Sequence, residues 1–195
     1  MSSPLNYARK SSSAIKNCNA ELERRHGGCA VSFPVEVMQA PFECVADYPR
    51  PPALVVSNQH IQVRALGEWL VETHHSLRVL ETFHPPTYYL PPETVRWDLL
   101  EAVPGRSFCE WKGLASYFSV VLGERRLERV AWSYANPTPA FAPLAGWLAL
   151  YPGRMDGCWV DGELVVPQPG GFYGGWITSA IRGPFKGDPE HPELV

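Results

Sequence analysis

The stretch LASYFSVVLGERRLERVAWSY, residues 114–134, decides the fold class of this chain. It contains two runs rich in aromatic and β-branched residues, 114–122 and 127–134, with Gly123-Glu124 between them. Two such runs separated by a short segment containing glycine are typical of a β-hairpin. We therefore predict a long antiparallel hairpin over this stretch.

Alternation of apolar and polar residues predicts further strands on either side of the hairpin. Ile61, Val63 and Ala65 alternate with polar residues, which indicates a half-buried strand. After a turn at Gly67, the pattern predicts that Trp69, Val71 and Thr73 face inward on the return strand. A third strand over 77–81 ends at the prolines 85–86, which cannot donate to a sheet.

The strongest short signal for a hairpin is Asp161-Gly162, which lies between residues 158–160 and 163–166. Helical signals are few: Pro91-Pro92-Glu93 fits a single helical turn, and only residues 140–151 could form a longer helix. The predicted fold is therefore mainly β, a compact antiparallel sandwich or squat barrel with one or two short helices.

Composition narrows the class of protein. The chain has 195 residues, 45% of them hydrophobic, with 20 prolines and 16 glycines. This suits one domain of short strands, which we place at residues 41–187, after an N-terminal extension (1–40) and before a C-terminal tail (188–195). A net charge of −3 gives no basic footprint for nucleic acid. No apolar run approaches the roughly 20 residues of a membrane helix, so we expect no membrane partner.

The N-terminus and the cysteines indicate the compartment. No apolar segment follows the N-terminus, so a cytoplasmic protein is expected, with organelle targeting by the basic, serine-rich residues 1–20 as the alternative. The five cysteines are widely spaced and form no C-x-x-C pair. They predict reduced thiols rather than a disulfide framework or a zinc site.

Six short motifs carry a family resemblance. They are FECVADYPRPP (42–52), LETFHPPTYYLP (80–91), SFCEWKG (107–113), AWSY (131–134), FYGGWI (172–177) and GPFKG (183–187). In this order they resemble the domain-of-unknown-function family numbered 427, over about residues 43–187. The resemblance implies a small, mostly β single domain, tent-like or sandwich-like.

The same family has a label that suggests nucleotidyl transfer, which the residues do not support. That chemistry needs carboxylates that hold Mg²⁺ and a backbone cradle for phosphate. The sequence contains no Asp-x-Asp pair and no Gly-x-x-x-x-Gly-Lys loop. The pairs Gly170-Gly171 and Gly174-Gly175 are better explained as chain turns, and the sequence points to no particular cofactor.

The stretch RSFCEWKGLASYF, residues 106–118, offers a candidate thiol. As one continuous strand it would place Ser107, Cys109 and Trp111 on one face. Cys109 is then either a small buried hydrophobe or a nucleophile activated by a nearby cation. Lys112 points away from it unless Gly113 marks a bulge, and is either a solvated cation or a ligand anchor.

Glu81 is the most informative candidate. It continues the face of Leu77 and Val79, so the periodicity that buries those residues turns its carboxylate inward. A buried carboxylate needs a partner. We predict that Lys112 pairs with it and that Tyr117 donates a hydrogen bond to it; the alternative is a purely structural ion pair.

The candidate catalytic residues are therefore Glu81, Cys109, Lys112 and Tyr117. The candidate ligand-binding residues are aromatic, since rings with a hydroxyl or an indole N–H suit planar ligands: Tyr88, Tyr89, Trp111, Trp132, Tyr134 and Trp176. His74, His75 and His84 do not have the spacing of a metal site, so no metal is predicted.

Two functions of different classes fit these residues. The first is a β domain that binds a small molecule in an aromatic-lined pocket, with or without catalysis. The second is a non-catalytic interaction module that presents an exposed aromatic patch to a protein partner. Polar groups that converge in a concave site favour the first, and polar groups scattered on a rim favour the second.

Overall fold

The computed structural model describes residues 42–194, and the predicted N-terminal extension lies outside this range. The described residues form fifteen strands: β1 (Glu43–Cys44), β2 (Ala53–Ser57), β3 (Ile61–Ala65), β4 (Glu68–Thr73), β5 (Ser76–Leu80), β6 (Thr87–Tyr89), β7 (Leu100–Cys109), β8 (Gly113–Leu122), β9 (Arg125–Ser133), β10 (Leu148–Leu150), β11 (Gly157–Val160), β12 (Glu163–Leu164), β13 (Val166–Pro167), β14 (Trp176–Ile177) and β15 (Ile181–Arg182). Short 3₁₀ segments at Val45–Asp47, Pro92–Thr94, Trp97–Leu99, Pro139–Leu144 and Pro152–Arg154 connect them.

Three sheets make up most of the fold. Their strand orders are β10-β9-β8-β7, β12-β11-β3-β4 and β2-β5-β6, and the pairs β1-β15 and β13-β14 complete the set. Every strand pair in residues 42–194 is antiparallel except β1-β15. The prediction of a mainly β, antiparallel fold is confirmed. No sheet in this range closes on itself, so the sandwich form and not the barrel is observed.

Two backbone hydrogen bonds join the three-stranded sheet to the β10-β9-β8-β7 sheet. The N–H of Leu90, next to β6, donates to the carbonyl of Leu148 in β10 at 2.8 Å, and the reverse bond measures 3.0 Å. We call the resulting surface the joined sheet. The contact fixes which residues of β6 and β10 share a face.

The main core lies between the joined sheet and the β12-β11-β3-β4 sheet. Ile61, Val63, Leu90, Leu148 and Leu150 are all fully buried there. Side chains of a strand alternate between its two faces, so the residues that separate these core positions face the other way. Tyr89 and Ala149 accordingly join a second apolar cluster on the opposite face of the joined sheet.

The predicted hairpins are confirmed. Strands β8 and β9 pair across the two-residue connection Gly123-Glu124. At the second hairpin Asp161 and Gly162 have φ of 50° and 82°, and positive φ at both positions is what a type I′ turn requires. The chain pairs as β11-β12 only to Leu164, and Val166–Pro167 then pairs with β14 instead.

The prediction that Trp69 faces inward is wrong. The β3–β4 register shifts so that Val63 pairs with Val71 and Arg64 pairs with Trp69, which inserts Leu70 as an extra residue. A bulge of this kind reverses the alternation. Leu70 and Val71 are therefore both buried, and Trp69 is 46% exposed.

The possible helix at 140–151 does not form. Pro143 interrupts the segment, Gly146 has a φ of 78°, and Leu148–Leu150 is a buried strand paired with β9. Proline lacks the N–H that a helix interior needs, and pairing with β9 satisfies the backbone that follows. The predicted turn after Pro91 is confirmed as the 3₁₀ segment Pro92–Thr94.

The thiols are not all reduced. Cys109 and Cys158 are free, as expected, whereas Cys44 is disulfide-bonded. The expectation of reduced thiols is therefore wrong at Cys44. None of the helices in residues 42–194 is long and apolar enough to cross a membrane.

Candidate functional site

A cavity of about 420 Å³ opens on the face of the joined sheet that is turned away from the main core. Its floor is aromatic and comes from β6, β8 and β9. Its mouth is charged. It comes from the segment that precedes β2, from the segments that follow β5 and β7, and from residues 168–186. Volumes of 300–1,000 Å³ are usual for sites that bind small organic molecules.

Four aromatic side chains form the floor. Tyr89, Tyr134, Trp132 and Tyr117 are 0%, 4%, 8% and 9% exposed. The indole N–H of Trp132 donates to the Tyr89 hydroxyl at 3.4 Å, and the two rings meet edge to face. The Tyr89 ring also packs against the Tyr134 ring, and all four side chains belong to one buried apolar cluster.

The floor carries hydroxyl groups that stay neutral. Burial raises the pKa of Tyr89 and of Tyr134 well above the usual range for a phenol, and it raises the pKa of Tyr151 to about 12. The Tyr117 hydroxyl shares a hydrogen bond of 2.6 Å with the hydroxyl of Ser107. The cavity therefore offers uncharged groups that both donate and accept hydrogen bonds.

A three-residue hairpin connection brings Cys109, Trp111 and Lys112 to this cavity. Cys109 pairs with Gly113, so residues 110–112 form the connection, and the prediction of one continuous strand through 106–118 is wrong. Gly113 has a φ of 95°, which favours glycine at this position. The turn, rather than a bulge in a strand, directs Lys112 to the same cavity as Cys109.

Hydrogen bonds from Thr138 hold the hairpin connection in place. The Thr138 hydroxyl donates to the Trp111 carbonyl, and the Thr138 N–H donates to the Lys112 carbonyl at 3.3 Å. The thiol of Cys109 lies beside the Tyr134 hydroxyl. Within residues 42–194 no cation forms an ion pair or hydrogen bond with that thiol.

A strained turn after β5 supplies the two acid–base groups at the mouth, Glu81 and His84. The His84 N–H donates to the Glu81 carbonyl at 2.9 Å, and Phe83 between them has a φ of 65°. Positive φ costs a bulky residue roughly 1–3 kcal/mol. Two bonds hold Phe83 there: its N–H donates to Val45, and its carbonyl accepts from Lys186, at 2.9 and 2.8 Å.

Glu81 faces the cavity, as the periodicity predicted, but its partner differs from the prediction. Its side chain is 18% exposed, and its carboxylate lies 3.6 Å from the guanidinium of Arg50. Arg50 also binds Glu110 at 3.1 Å. Within the described range Lys112 forms no ion pair with Glu81, and Tyr117 bonds to Ser107 instead of donating to Glu81.

His84 is neutral and has a defined tautomer. The Lys186 carbonyl can only accept a hydrogen bond, so the Gln168 amide nitrogen faces it, at 2.9 Å. The same nitrogen lies 3.0 Å from Nδ1 of His84 and donates to it, which places the imidazole hydrogen on Nε2. Burial lowers the pKa of His84, and the charges of Lys186 and Lys112 add to this, against the opposing charge of Glu81.

The cavity gathers most of the residues that the sequence singled out. It is lined by all four candidate catalytic residues and by four of the six candidate aromatic residues: Glu81, Cys109, Lys112, Tyr117, Tyr89, Trp111, Trp132 and Tyr134. Tyr88 and Trp176 do not line it. They pack against each other in the main core, because Tyr88 is adjacent to Tyr89 and faces the other side of β6.

Several lining residues were not predicted. They are Arg50, His84, Ser107, Tyr151, Gln168, Tyr173 and Lys186. Two of them had a usable signal: His84 follows the inward Glu81 by three residues, and Lys186 lies in the GPFKG motif. No sequence pattern pointed to Gln168, because its contact is with His84, 84 residues away in the sequence.

Gly174 has a packing role that differs from the predicted turn. A side chain at this position would collide with the indole of Trp132. Its glycine therefore lets residues 172–177 lie directly against the cavity wall. The histidines considered for metal lie apart, with His74 stacked on His60 and His84 packed against Tyr173.

Comparison with known proteins finds a family match over the part of the chain that contains three of the six motifs, 80–91, 107–113 and 131–134. None of the curated proteins to which the sequence was compared matches it. Residues 53–161 match the family model described as "Domain of unknown function (DUF427)". This match spans more than half of the chain and includes β2 to β11 with the floor of the cavity, so the chain belongs to the DUF427 family.

Proposed function

We propose that this protein binds a small organic molecule with a planar ring in the aromatic cavity. One observation carries the proposal: each of the six motifs picked out in the sequence supplies a residue to the cavity. The contributions are Arg50, Glu81 with His84 and Tyr89, Cys109 with Lys112, Trp132 with Tyr134, Tyr173 with Gly174, and Lys186. Segments spread over more than 130 positions of sequence thus share one small volume.

The chemistry of the lining supports a ring-bearing ligand. Buried rings of tyrosine and tryptophan offer flat apolar surface, on which a planar molecule gains contact area. The neutral hydroxyls of Tyr89, Tyr134 and Tyr151 supply hydrogen bonds without charge. A ligand with a ring and a few oxygen or nitrogen atoms at its edge matches both properties.

The alternative of a non-catalytic interaction module fits less well. It requires an exposed aromatic patch with polar groups scattered around its rim. Tyr89, Trp132 and Tyr134 are instead buried, and Glu81 and His84 line the same cavity as these rings. Phe108 and Phe172 are more than 70% exposed, but both border the cavity, where they can cover a bound molecule.

Acid–base catalysis is a second candidate function, which the turn after β5 favours. Strained backbone is often found at functional sites, where the surrounding structure holds it in place. Here it places a carboxylate and a neutral imidazole three residues apart at the mouth of a cavity. Because its Nδ1 already accepts from Gln168, the neutral imidazole offers a ligand only its Nε2–H, which can stabilise negative charge that develops on a ligand oxygen, while the Glu81 carboxylate can accept a proton.

A thermal-shift screen with a blocked cavity tests the binding proposal. The compounds are aromatic acids, nucleotides, sugars, amino acids and cofactors, with and without Mg²⁺. Thr87→Phe adds a ring inside the cavity, and the control Val56→Phe adds one at an exposed position of β2. A ligand at 100 times its Kd should stabilise the parent and Val56→Phe by about 2.7 kcal/mol, but not Thr87→Phe. The proposal fails if no compound stabilises the parent, or if folded Thr87→Phe responds equally.

The role of His84 is tested separately by NMR titration of its ring. Without ligand, its pKa should lie below the ordinary value of 6.5. A bound molecule that accepts a hydrogen bond from Nε2 should shift this pKa, whereas Gln168→Leu should change the tautomer by removing the donor to Nδ1. An unchanged His84 pKa with the cavity filled would contradict the catalytic role and leave the binding proposal intact.

A further inference from the structure

The charges at the cavity mouth are unevenly paired. The formal charges on the lining residues are those of Arg50, Lys112, Lys186, Glu81 and Glu110, with His84 neutral. Both glutamates contact Arg50, at 3.6 and 3.1 Å. Within residues 42–194, neither lysine has a carboxylate within 4.0 Å of its ammonium group.

The backbone at both lysines is held in place. The N–H of Lys186 donates to Phe83 and its carbonyl accepts from Gln168, so Lys186 is bound to the strained turn that carries His84. Lys112 lies in the hairpin connection that Thr138 holds, and its Nζ is 5.7 Å from the centre of the Phe141 ring. Both residues are half-buried, and both line the cavity.

On this basis, which rests on the proposed function, we propose that the ligand is an organic anion whose carboxylate or phosphate binds Lys112 and Lys186 while its ring lies on the aromatic floor. Ammonium groups without a protein counter-ion in a concave site attract an anion, because the walls exclude water that would screen the charge. The hydrogen on Nε2 of His84 adds a neutral donor of the kind that such an anion needs.

The effect of the lysines on His84 supports their proximity. Lys112 and Lys186 are 74 positions apart in the sequence, yet both line the cavity with His84. Both ammonium charges lower the pKa of His84, after the larger effects of burial, which lowers it, and of Glu81, which raises it. An anion at the lysines would oppose this effect. The two cations and the imidazole therefore form one anion-binding group.

A matched set of probes tests the inference by isothermal titration calorimetry. The probes are 4-hydroxybenzoate, phenyl phosphate and the neutral 4-hydroxybenzamide, which have similar rings and differ in charge. We expect at least one anion to bind about ten times more tightly than the amide, with an advantage that falls as salt is added. Preference for the carboxylate or for the phosphate then identifies the anionic group.

Substitution of the two lysines tests whether they cause the preference for an anion. In Lys112→Gln/Lys186→Gln the advantage of the anion should fall below about threefold, and the control Arg125→Gln, at an exposed position of β9, should keep it. Equal binding of anion and amide overturns the inference, as does an advantage that persists in the double variant. If none of the three probes binds but the screen finds a ligand that Thr87→Phe excludes, this inference fails and the cavity proposal stands. If the screen also finds nothing, both fail.

Discussion

Two arginine–glutamate contacts in this protein are built in opposite ways. In the first, Arg78 is 13% exposed and binds both carboxylate oxygens of Glu43, at 2.9 and 2.8 Å, with the Tyr48 hydroxyl donating to the same carboxylate at 2.6 Å. In the second, Arg50 is 55% exposed and lies 3.6 Å from Glu81, whose side chain is only 18% exposed.

This difference in exposure and hydrogen bonding distinguishes an ion pair that stabilises the fold from a carboxylate in a candidate binding site. The Glu43 carboxylate has hydrogen-bond donors within the protein, and neither Glu43 nor Arg78 lines the cavity, so we assign this cluster to stabilising the fold. The Glu81 carboxylate has one distant, solvated cation and faces a cavity, so it retains capacity to bind a ligand. The exposure of the cation distinguishes the two contacts better than the presence of an ion pair.

The largest expected effect on stability is that of Arg78→Met. It leaves Glu43 and Tyr48 without their cation, which we expect to lower the free energy of unfolding by about 2 kcal/mol. This is less than the 3–5 kcal/mol of a fully buried pair, because the side chain of Glu43 is 41% exposed. Urea denaturation measures the change. Loss of ligand binding in a folded Arg78→Met protein would contradict the structural role.

The pH dependence of this cluster should be the next largest effect. Burial raises the pKa of Glu43, but hydrogen bonds from Arg78 and Tyr48 outweigh burial and lower it below 4.5. The unfolded state then binds more protons in acid, so the stabilisation is present above about pH 4.5 and is lost as pH falls through the lower folded pKa. Denaturation at about pH 6 to pH 3 should show a smaller acid loss in Arg78→Met than in the parent. Parallel curves would refute the assignment.

Glu81→Gln should hardly change stability. Its partner Arg50 is more than half exposed and 3.6 Å away, so we expect a change of less than about 1 kcal/mol. Binding of a cavity ligand should nevertheless weaken about tenfold, because the carboxylate can accept a charge-assisted hydrogen bond from an O–H or N–H group on the ligand's ring, which the amide replaces with a weaker bond. Glu110→Gln is the matched control, since it removes the other partner of Arg50 at an exposed position. A large loss of stability with unchanged binding would make Glu81 structural.

Cys109→Ala should have the smallest effect. The thiol lies beside the Tyr134 hydroxyl and is half-buried, which indicates a packing role. We expect retained ligand binding, and slow reaction of native Cys109 with iodoacetamide at neutral pH. Rapid labelling, together with loss of turnover of an identified substrate in Cys109→Ala, would restore the nucleophile hypothesis.

Local patterns predicted the strands well. Alternation at 61–65, the turn at Asp161-Gly162 and the inward direction of Glu81 follow from neighbouring residues, and the structure contains each of them. The extra residue at Leu70 could not be predicted in this way, because a bulge depends on the register with the partner strand. The hairpin connection at 110–112 could not be recognised in the sequence, because its residues continue the alternation of polar and apolar side chains that is typical of a strand.

The partners of Glu81 and His84 come from segments that are far away in the sequence, so neighbouring residues could not predict them. Arg50 reaches Glu81 from the segment that precedes β2, and Gln168 fixes the tautomer of His84 from the far end of the chain. The choice of Lys112 as partner for Glu81 relied on residue type alone. The six sequence motifs identified the residues that line the cavity better than hydrophobic periodicity did, since each motif contributes a lining residue.

The most direct test of the central claim is an NMR titration of protein labelled with ¹⁵N in its tryptophan side chains. The ligand is a hit from the screen. Trp111 and Trp132 line the cavity, Trp176 is buried in the main core, and Trp69 is exposed on another sheet. We predict that the indole N–H signals of Trp111 and Trp132 shift together and saturate at the Kd measured by calorimetry, while those of Trp176 and Trp69 stay in place. Saturable shifts at Trp69 with unchanged signals from Trp111 and Trp132 would place the binding site elsewhere and contradict the account.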